Sequence, residues 1–406
     1  MMHASSAEAA DARIVRLLTC LMFFTFAMTT DAVGSVIPRL IQEHGLSMTA
    51  AGAFQYATMA GIATGALLLG FLADRIGRKR TIILGLAFYG LASLLVAVSG
   101  RYAMLVALLA VSGLGISVFK TGALALIGDI TPSNTAHTRL MNNVEGFFAV
   151  GAIVGPAVVA ILLARGMSWK WLYLFAAIIC AGLVIMAARA RYPASRPAMQ
   201  RPDLRQMLQV MRDPAAIGFS ALVMLYVAAE VAIYVWMPTW LQSYSGSRTW
   251  LAASALTLFF VLRALGRFFG AWLLERASWS AVLALVGGLL FACFAGSLAG
   301  GVEAAAWLLP LSGLFMSVVY PTLNSKAISC FPHHQHGSIA GVVLFFTALA
   351  AALGPLAMGA ASDAAGSPRA GFVLATLFAF LLFAGLVYNW LANPARRRLQ
   401  AADLLA

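Results

Sequence analysis

Runs of about twenty residues without a single charge constrain this chain more than any other feature. Ala281 to Gly301 and Phe372 to Ala392 are two such runs, and Leu105 to Phe119 is a shorter one. A helix rises about 1.5 Å per residue, so roughly 20 residues reach across the ~30 Å hydrocarbon core of a bilayer. Inside that core no water is available to backbone N–H and C=O groups, so a lipid-facing segment must satisfy them within its own helix. These runs are therefore read as membrane-spanning helices. Composition agrees: 62% of the 406 residues are apolar and 10% are charged, against about 25% charged in a soluble domain.

Twelve spans are predicted. Those of the first half cover approximately 14–37, 49–72, 80–99, 103–127, 141–164 and 168–189. Those of the second cover 215–241, 250–274, 279–299, 305–329, 337–360 and 369–391. The formal charge of +13 would suit nucleic acid, but its placement follows topology instead. With both termini inside, Arg75, Arg78, Lys79, Arg80, the run Arg189 to Arg212 and Arg396 to Arg398 all fall on the cytoplasmic side. Arg39, Arg101, Arg165, Lys170, Arg248 and Arg369 fall outside. That excess of cytoplasmic Lys and Arg is the positive-inside pattern and predicts a multi-pass inner-membrane protein. The first apolar run is full length with no small-residue cleavage site, so it is read as span 1 and not as a removable signal. Cys20, Cys180, Cys293 and Cys330 stand singly, and no disulfide or metal site is expected of them.

The stretch from Arg191 to Pro214, rich in Arg, Pro and Gln, interrupts the apolar pattern. The expected organisation is a six-helix bundle over 1–190, a cytoplasmic linker over 191–214 and a second six-helix bundle over 215–406. A short echo supports two related halves. Gly70, Asp74 and Gly77 close span 2 in GFLADRIG, and Gly359, Asp363 and Gly366 close span 11 with the same spacing in GAASDAAG. Spans 2 and 11 end on opposite faces, which suggests inverted repeats. The glycines allow close helix approach, and the Asp can accept from N–H groups at a helix start.

GFLADRIGRKR at Gly70 to Arg80 resembles the loop 2–3 signature of the major facilitator superfamily. A narrower resemblance lies in the second half, to the fucose–galactose–glucose:proton symporter family. It is carried by YVAAEVAIYVWMPTWL at Tyr226 to Leu241, GRFFGAWLLER at Gly266 to Arg276, FMSVVYPTLNSKAI at Phe315 to Ile328 and MGAASDAAG at Met358 to Gly366. The resemblance implies two pseudo-symmetric bundles, proton-coupled sugar uptake and an acidic proton site in span 1, a position held here by Asp31. It also implies a cytoplasmic gate built from Gly70, Asp74, Arg75, Gly77 and Arg78. The chain departs from the pattern in span 4, where Lys120 replaces an essential Glu and Leu124 an amide. In span 5, Gly151-x3-Gly155-Pro156 partly resembles the motif of drug:proton antiporters.

Ionisable groups inside spans are the informative positions, because each costs about 2.5–3.5 kcal/mol or more at the centre of an isolated helix. Asp31 follows Thr25, Thr29 and Thr30, and can take a proton on one side and release it on the other. Lys120 in span 4 needs an anionic partner, for which Asp31, Glu145 and Glu230 are candidates. It can also bind an anionic solute. Glu230 has Tyr226 and Tyr234 at i−4 and i+4, on one helix face, with Trp236 continuing around it. Carboxylate oxygens and flat aromatic rings suit a polyol. Ser317, Tyr320 and Asn324 form a second polar stripe beside Pro321, which frees a carbonyl and permits bending. Gln55, Tyr56, Asn143 and Glu145 are further solute-binding candidates. Arg267, one turn from Arg263, is assigned to the cytoplasmic gate. His333, His334 and His336 have no accompanying ligand at metal spacing and are read as a loop.

No nucleotide-binding or catalytic motif stands in the chain: GISVFKT lacks the second glycine of a phosphate loop, and neither HExxH nor GxSxG occurs in a span. The sequence therefore predicts a monomeric secondary transporter and not an enzyme. It is expected to need no cofactor or metal and to couple protons to a small polar solute, a monosaccharide in the first instance. The alternative is a proton-coupled exporter of drugs or metabolites.

Overall fold

The apolar runs fold as helices whose ends are set by identifiable local chemistry. A computed structural model describes residues 6–69, 72–131, 134–192, 208–332, 335–396 and 398–399, so most of the linker lies outside the described residues. The helices in chain order are α1 (Ser6–Thr30), α2 (Val33–His44), α3 (Met48–Ala51), α4 (Ala53–Leu69), α5 (Leu72–Arg75), α6 (Arg78–Val98), α7 (Tyr102–Ile130), α8 (Asn134–Ala164) and α9 (Trp171–Arg189). After the linker come α10 (Pro214–Val231), α11 (Met237–Trp240), α12 (Thr249–Leu274), α13 (Trp279–Met316), α14 (Val319–Ser329), α15 (His336–Ala365) and α16 (Pro368–Ala392). Asp213 caps α10, its Oδ1 accepting the Ala215 N–H at 2.8 Å with Pro214 in the first turn. Ser278 and Ser367 cap α13 and α16 in the same way.

Among the described residues, ten segments are long and apolar enough to cross a membrane. Two features separate that number from the twelve spans expected. Helix α4 has 17 residues, about 26 Å of rise, before residues 70–71, which lie outside the described ones. The run Trp279–Ser329 covers 51 residues, but Gly301 interrupts it with φ 69° and ψ −158°, a conformation that only glycine adopts without strain. A second interruption at Ser317 and Val318 precedes α14. Pro321 has no N–H for the Ser317 carbonyl, which accounts for it.

The chain divides into two compact units. The first holds Met1–Val36 and Ala53–Met199; the second holds Ile37–Gly52 and Gln200–Ala406. In the first, α1 packs on α8 and α9, α4 on α7, and α6 on α7 and α9. Gly151 and Gly155 lie against the carbonyls of Phe24 and Met28, so that a Cβ at either position would collide with the α1 backbone. The partial antiporter motif is thus a close-packing surface of small residues four apart. In the second unit, α10 packs on α15 and α16, and α12 and α16 both pack on α13.

The outer surface is apolar. Phe268, Val98 and Leu391 are 78%, 75% and 72% exposed. In water such side chains would form an aggregation-prone patch; in a bilayer they meet acyl chains.

Candidate functional site

In the first unit, α1 stops at Thr30, and Asp31 and Ala32 form a turn before α2. The threonines prepare that turn. Thr25 Oγ1 donates to the Leu21 carbonyl at 2.8 Å and Thr30 Oγ1 to the Phe26 carbonyl at 3.0 Å, a back-bonding that bends helices. Thr29 Oγ1 lies 2.7 Å from the Tyr89 hydroxyl, which donates to the Thr25 carbonyl at 3.0 Å. Tyr89 on α6 is fully buried and pins the end of α1. Its sequence neighbourhood, an uncharged apolar run, offered no signal of that role. Asp31 is half-buried beside this cluster.

The Lys120 ammonium stands 5.1 Å from the ring centroid of Phe26 and 5.8 Å from that of Phe23, both on α1. Phe148 packs on Phe26 at 5.5 Å. Such cation–π contacts are worth up to about 2 kcal/mol when desolvated. Glu145 on α8 and then Asp31 act on the ammonium through their charge. No carboxylate among the described residues is within 4.0 Å of it. Of the other candidates, Gln55 is fully buried and neither of its amide atoms has a hydrogen-bond partner. Tyr56 is half-buried, and Asn143 is exposed.

One end of this unit carries the charged network. Arg78, 6% exposed at the start of α6, donates through Nε to Asp129 Oδ2 at 3.0 Å and through Nη1 to the Ala73 carbonyl at 2.8 Å. Lys79 Nζ donates to the carbonyls of Ala188 and Ala190 at 2.7 and 2.8 Å, placing a cation at the C-terminus of α9, where the helix dipole favours one. The Tyr192 ring lies 5.7 Å from that ammonium, and burial pushes its phenol up to about 12. Gly77 sits at φ 87° just before α6, and Arg75 is exposed. Gly70 and the side chain of Asp74 lie outside the described residues, as do His333, His334 and the side chain of His336. Asp129 was missed from sequence; an acid at the end of α7, facing a basic loop, was the available signal.

In the second unit Glu230 gathers the polar groups. Its Oε1 lies 2.5 Å from Nη2 of Arg263 on α12, and 3.0 Å from the Tyr226 hydroxyl. That hydroxyl is also 3.0 Å from the Met316 carbonyl, and its single proton serves one acceptor at a time. The Glu230 side chain is 10% exposed and that of Arg263 24%. The ring of Tyr320 on α14 lies 6.3 Å from that of Tyr226, and Arg267 adds its charge to the same cluster, although it is exposed. Ser317 Oγ donates to the Leu314 carbonyl at 2.9 Å, and Asn324 is half-buried.

Beyond Val231 the helix widens into a π turn over Ala232–Trp236. Pro238 supplies the cause: in an α-helix its ring would clash with the Tyr234 carbonyl four residues back. The i+4 step from Glu230 to Tyr234 therefore crosses a wider turn than the sequence pattern assumed. Tyr234 is half-buried. Trp236 is 1% exposed, and its Nε1 donates to the Pro355 carbonyl at 3.1 Å.

The echo motif at the end of α15 has a definite job. Asp363 accepts the Met48 N–H at 2.7 Å and the Thr49 N–H at 2.9 Å, capping α3 with both oxygens. Gly359 lies so close to Thr49 that a Cβ would crowd it, and Gly366, at φ 65°, ends α15 in the left-handed region.

Residues 19–355 match the family model described as Major Facilitator Superfamily. The chain is 25% identical over 397 residues to a glucose/galactose transporter of Brucella abortus, covering 90% of this chain and 92% of that one. It is 25% identical over 354 residues to a gallate transporter of Pseudomonas putida, covering 78% of each. Among solved structures, the fucose:proton symporter of E. coli superposes with a TM-score of 0.64 over 93% of this chain and 99% of that one, at 22% identity. That likeness concerns the fold alone.

Proposed function

Because the chain belongs to the major facilitator superfamily, whose members are transporters, we propose that it is a proton-coupled secondary transporter that moves a small polar solute, a monosaccharide, by alternating access. The observation that carries this is the cluster of buried Glu230 and Tyr226 with half-buried Arg263 and Tyr320 inside a membrane-spanning bundle. A carboxylate, a guanidinium and phenols offer acceptors and donors to sugar hydroxyls, and the rings offer faces to sugar C–H groups. The sugar transporter among the relatives supports the same class. In this reading α4 counts as one span and the run broken at Gly301 as two. That gives twelve spans in two six-helix bundles, over 1–190 and 215–406 with 191–214 between them. Both termini lie in the cytoplasm of a cell with an inner membrane, and the chain works as a monomer. Asp31, Lys120 and Glu230 carry the proton coupling. Gln55, Tyr56, Asn143, Glu145, Ser317 and Asn324 are further solute contacts.

A second reading has its own observation. Lys120 is an ammonium faced by two phenyl rings and without a contact counter-ion among the described residues. Such a pocket suits an aromatic carboxylate, and one relative is a gallate transporter. Export, the alternative read from the sequence, draws its support from a relative, the multidrug resistance protein D of E. coli at 24% identity over 279 residues, and not from Gly151 and Gly155, which are engaged in packing on α1.

Proteoliposomes with an imposed proton gradient test both readings. One proton moving down 100 mV supplies about 2.3 kcal/mol, enough for several tens-fold accumulation. Labelled glucose, galactose or fucose is expected to accumulate, and Asp31→Asn to abolish accumulation while leaving exchange. Accumulation that survives Asp31→Asn removes the proton-site assignment. Uptake of gallate in place of sugars, lost in Lys120→Ala, selects the second reading.

A further inference from the structure

A groove on the second unit runs between α10 and α16. It is about 410 Å³ in volume and lined almost wholly by apolar side chains. Small residues shape it: Gly218 and Ala221 on α10 leave space between Phe219, Leu225 and Leu381, and Gly385 on α16 lets Leu222 approach closely. Along α10 the lining extends from Pro214 to Leu225, a rise of about 17 Å at 1.5 Å per residue. Half of the ~30 Å hydrocarbon core is about 15 Å, so the groove is as deep as one leaflet.

Its two ends differ chemically. The Leu381 end is apolar, whereas the other end is lined by Arg398 and reaches the surface. Arg398 pairs with Asp213 at 2.8 Å. Arg212 and Arg396 are exposed beside them in sequence, and Lys326, like Arg398 and Asp213, acts on the nearby Cys330 through its charge. Two cations, Arg398 and Lys326, around the one carboxylate of Asp213 leave that rim positive, and Arg212 and Arg396 are its neighbours in the chain. Between the two ends stands Asn389, which is 5% exposed and lines the groove, and whose Nδ2 has no hydrogen-bond acceptor.

We propose that this groove is a binding site for one anionic phospholipid of the adjacent leaflet. The acyl chain fills the space between Gly218 and Leu381, an ester carbonyl reaches Asn389, whose amide turns to present its shielded Nδ2, and the phosphate-bearing headgroup meets the basic rim. Each part answers a different observation: leaflet-scale depth, an unmet donor where the glycerol backbone would lie, and a basic mouth. A zwitterionic lipid fits the apolar length but not the rim, where each Lys or Arg near an anionic surface adds attraction.

The test is native mass spectrometry of the full chain, stripped of lipid in detergent and then given palmitoyl-oleoyl phosphatidylglycerol or phosphatidylcholine. Wild type is expected to retain one phosphatidylglycerol, about tenfold more strongly than phosphatidylcholine. Gly218→Leu places a side chain in the groove, where nothing outside the backbone of its own helix turn and its two chain neighbours lies within 4 Å of the new Cβ. It keeps the helix, because leucine is a better helix former than glycine, and should abolish retention at a melting temperature no lower than that of wild type. Asn389→Leu should weaken both lipids, and Arg398→Gln only the anionic one. Equal retention by wild type and Gly218→Leu overturns the proposal, as does equal retention of the two lipids. A dimer that forms in place of the lipid adduct and is lost in Gly218→Leu also overturns it, giving the groove to a second copy of the chain.

Discussion

Single residues settle where charge can be kept inside this molecule. Arg78 and Asp129 have side chains only 7% and 6% exposed and hold each other at 3.0 Å. Removing one partner from such a pair leaves an uncompensated buried charge, at a cost of roughly 3–5 kcal/mol. Asp129→Ala is therefore expected to lower the melting temperature in detergent sharply, and Arg78→Leu with Asp129→Leu to recover much of the loss. If the double variant melts no higher than the single one, the pair is not the source of the effect. Arg78 was visible in the sequence as part of a loop signature; its partner was not, because Asp129 lies 51 residues away and spacing says nothing about which helices share an end. Likewise Glu230 and Tyr226 could be paired by helical period. The Arg263 contact depends on how α12 crosses α10, which the period of one helix does not reveal.

At the scale of helices, small residues decide how closely neighbours pack. Gly155 sits against the Met28 carbonyl, whereas Gly146 on the same helix has open space where a Cβ would go. Gly155→Ala is expected to destabilise the first unit by more than 1 kcal/mol, and Gly146→Ala to be neutral or stabilising by up to about 1 kcal/mol. Thermal unfolding of the two purified variants compares them directly, and equal melting temperatures would show that α8 does not depend on that contact. The sequence marked Gly151 and Gly155 by motif, and structure supplies the surface they serve. The sequence also showed Pro238, but not that the chain would answer it with a π turn; Pro156 and Pro355 stand inside α-helices, so a proline alone does not fix how the helix around it responds.

For the molecule as a whole, hydropathy carried most of the fold, because lipid leaves the backbone little choice. The break at Gly301 falls between the spans expected at 279–299 and 305–329, whereas the interruption at Ser317 and Val318, inside an expected span, has no hydropathy signature. Orientation rests on the distribution of Lys and Arg alone. A fluorescent reporter fused after Ala406 should light up in the cytoplasm of an expressing bacterium, and a periplasm-dependent phosphatase fused at the same point should stay inactive. The reverse pattern inverts the topology and with it the sidedness of the Arg78 network.

Ile37–Gly52 is encoded within the first half of the chain but packs as part of the second unit, where Asp363 holds its short helix by two N–H groups. The coding boundary and the folding boundary therefore do not coincide. A fragment beginning at the linker would come off the ribosome without the donors that Asp363 was built to receive. Two separately translated pieces could restore the native contacts only if the first lent its arm to the second.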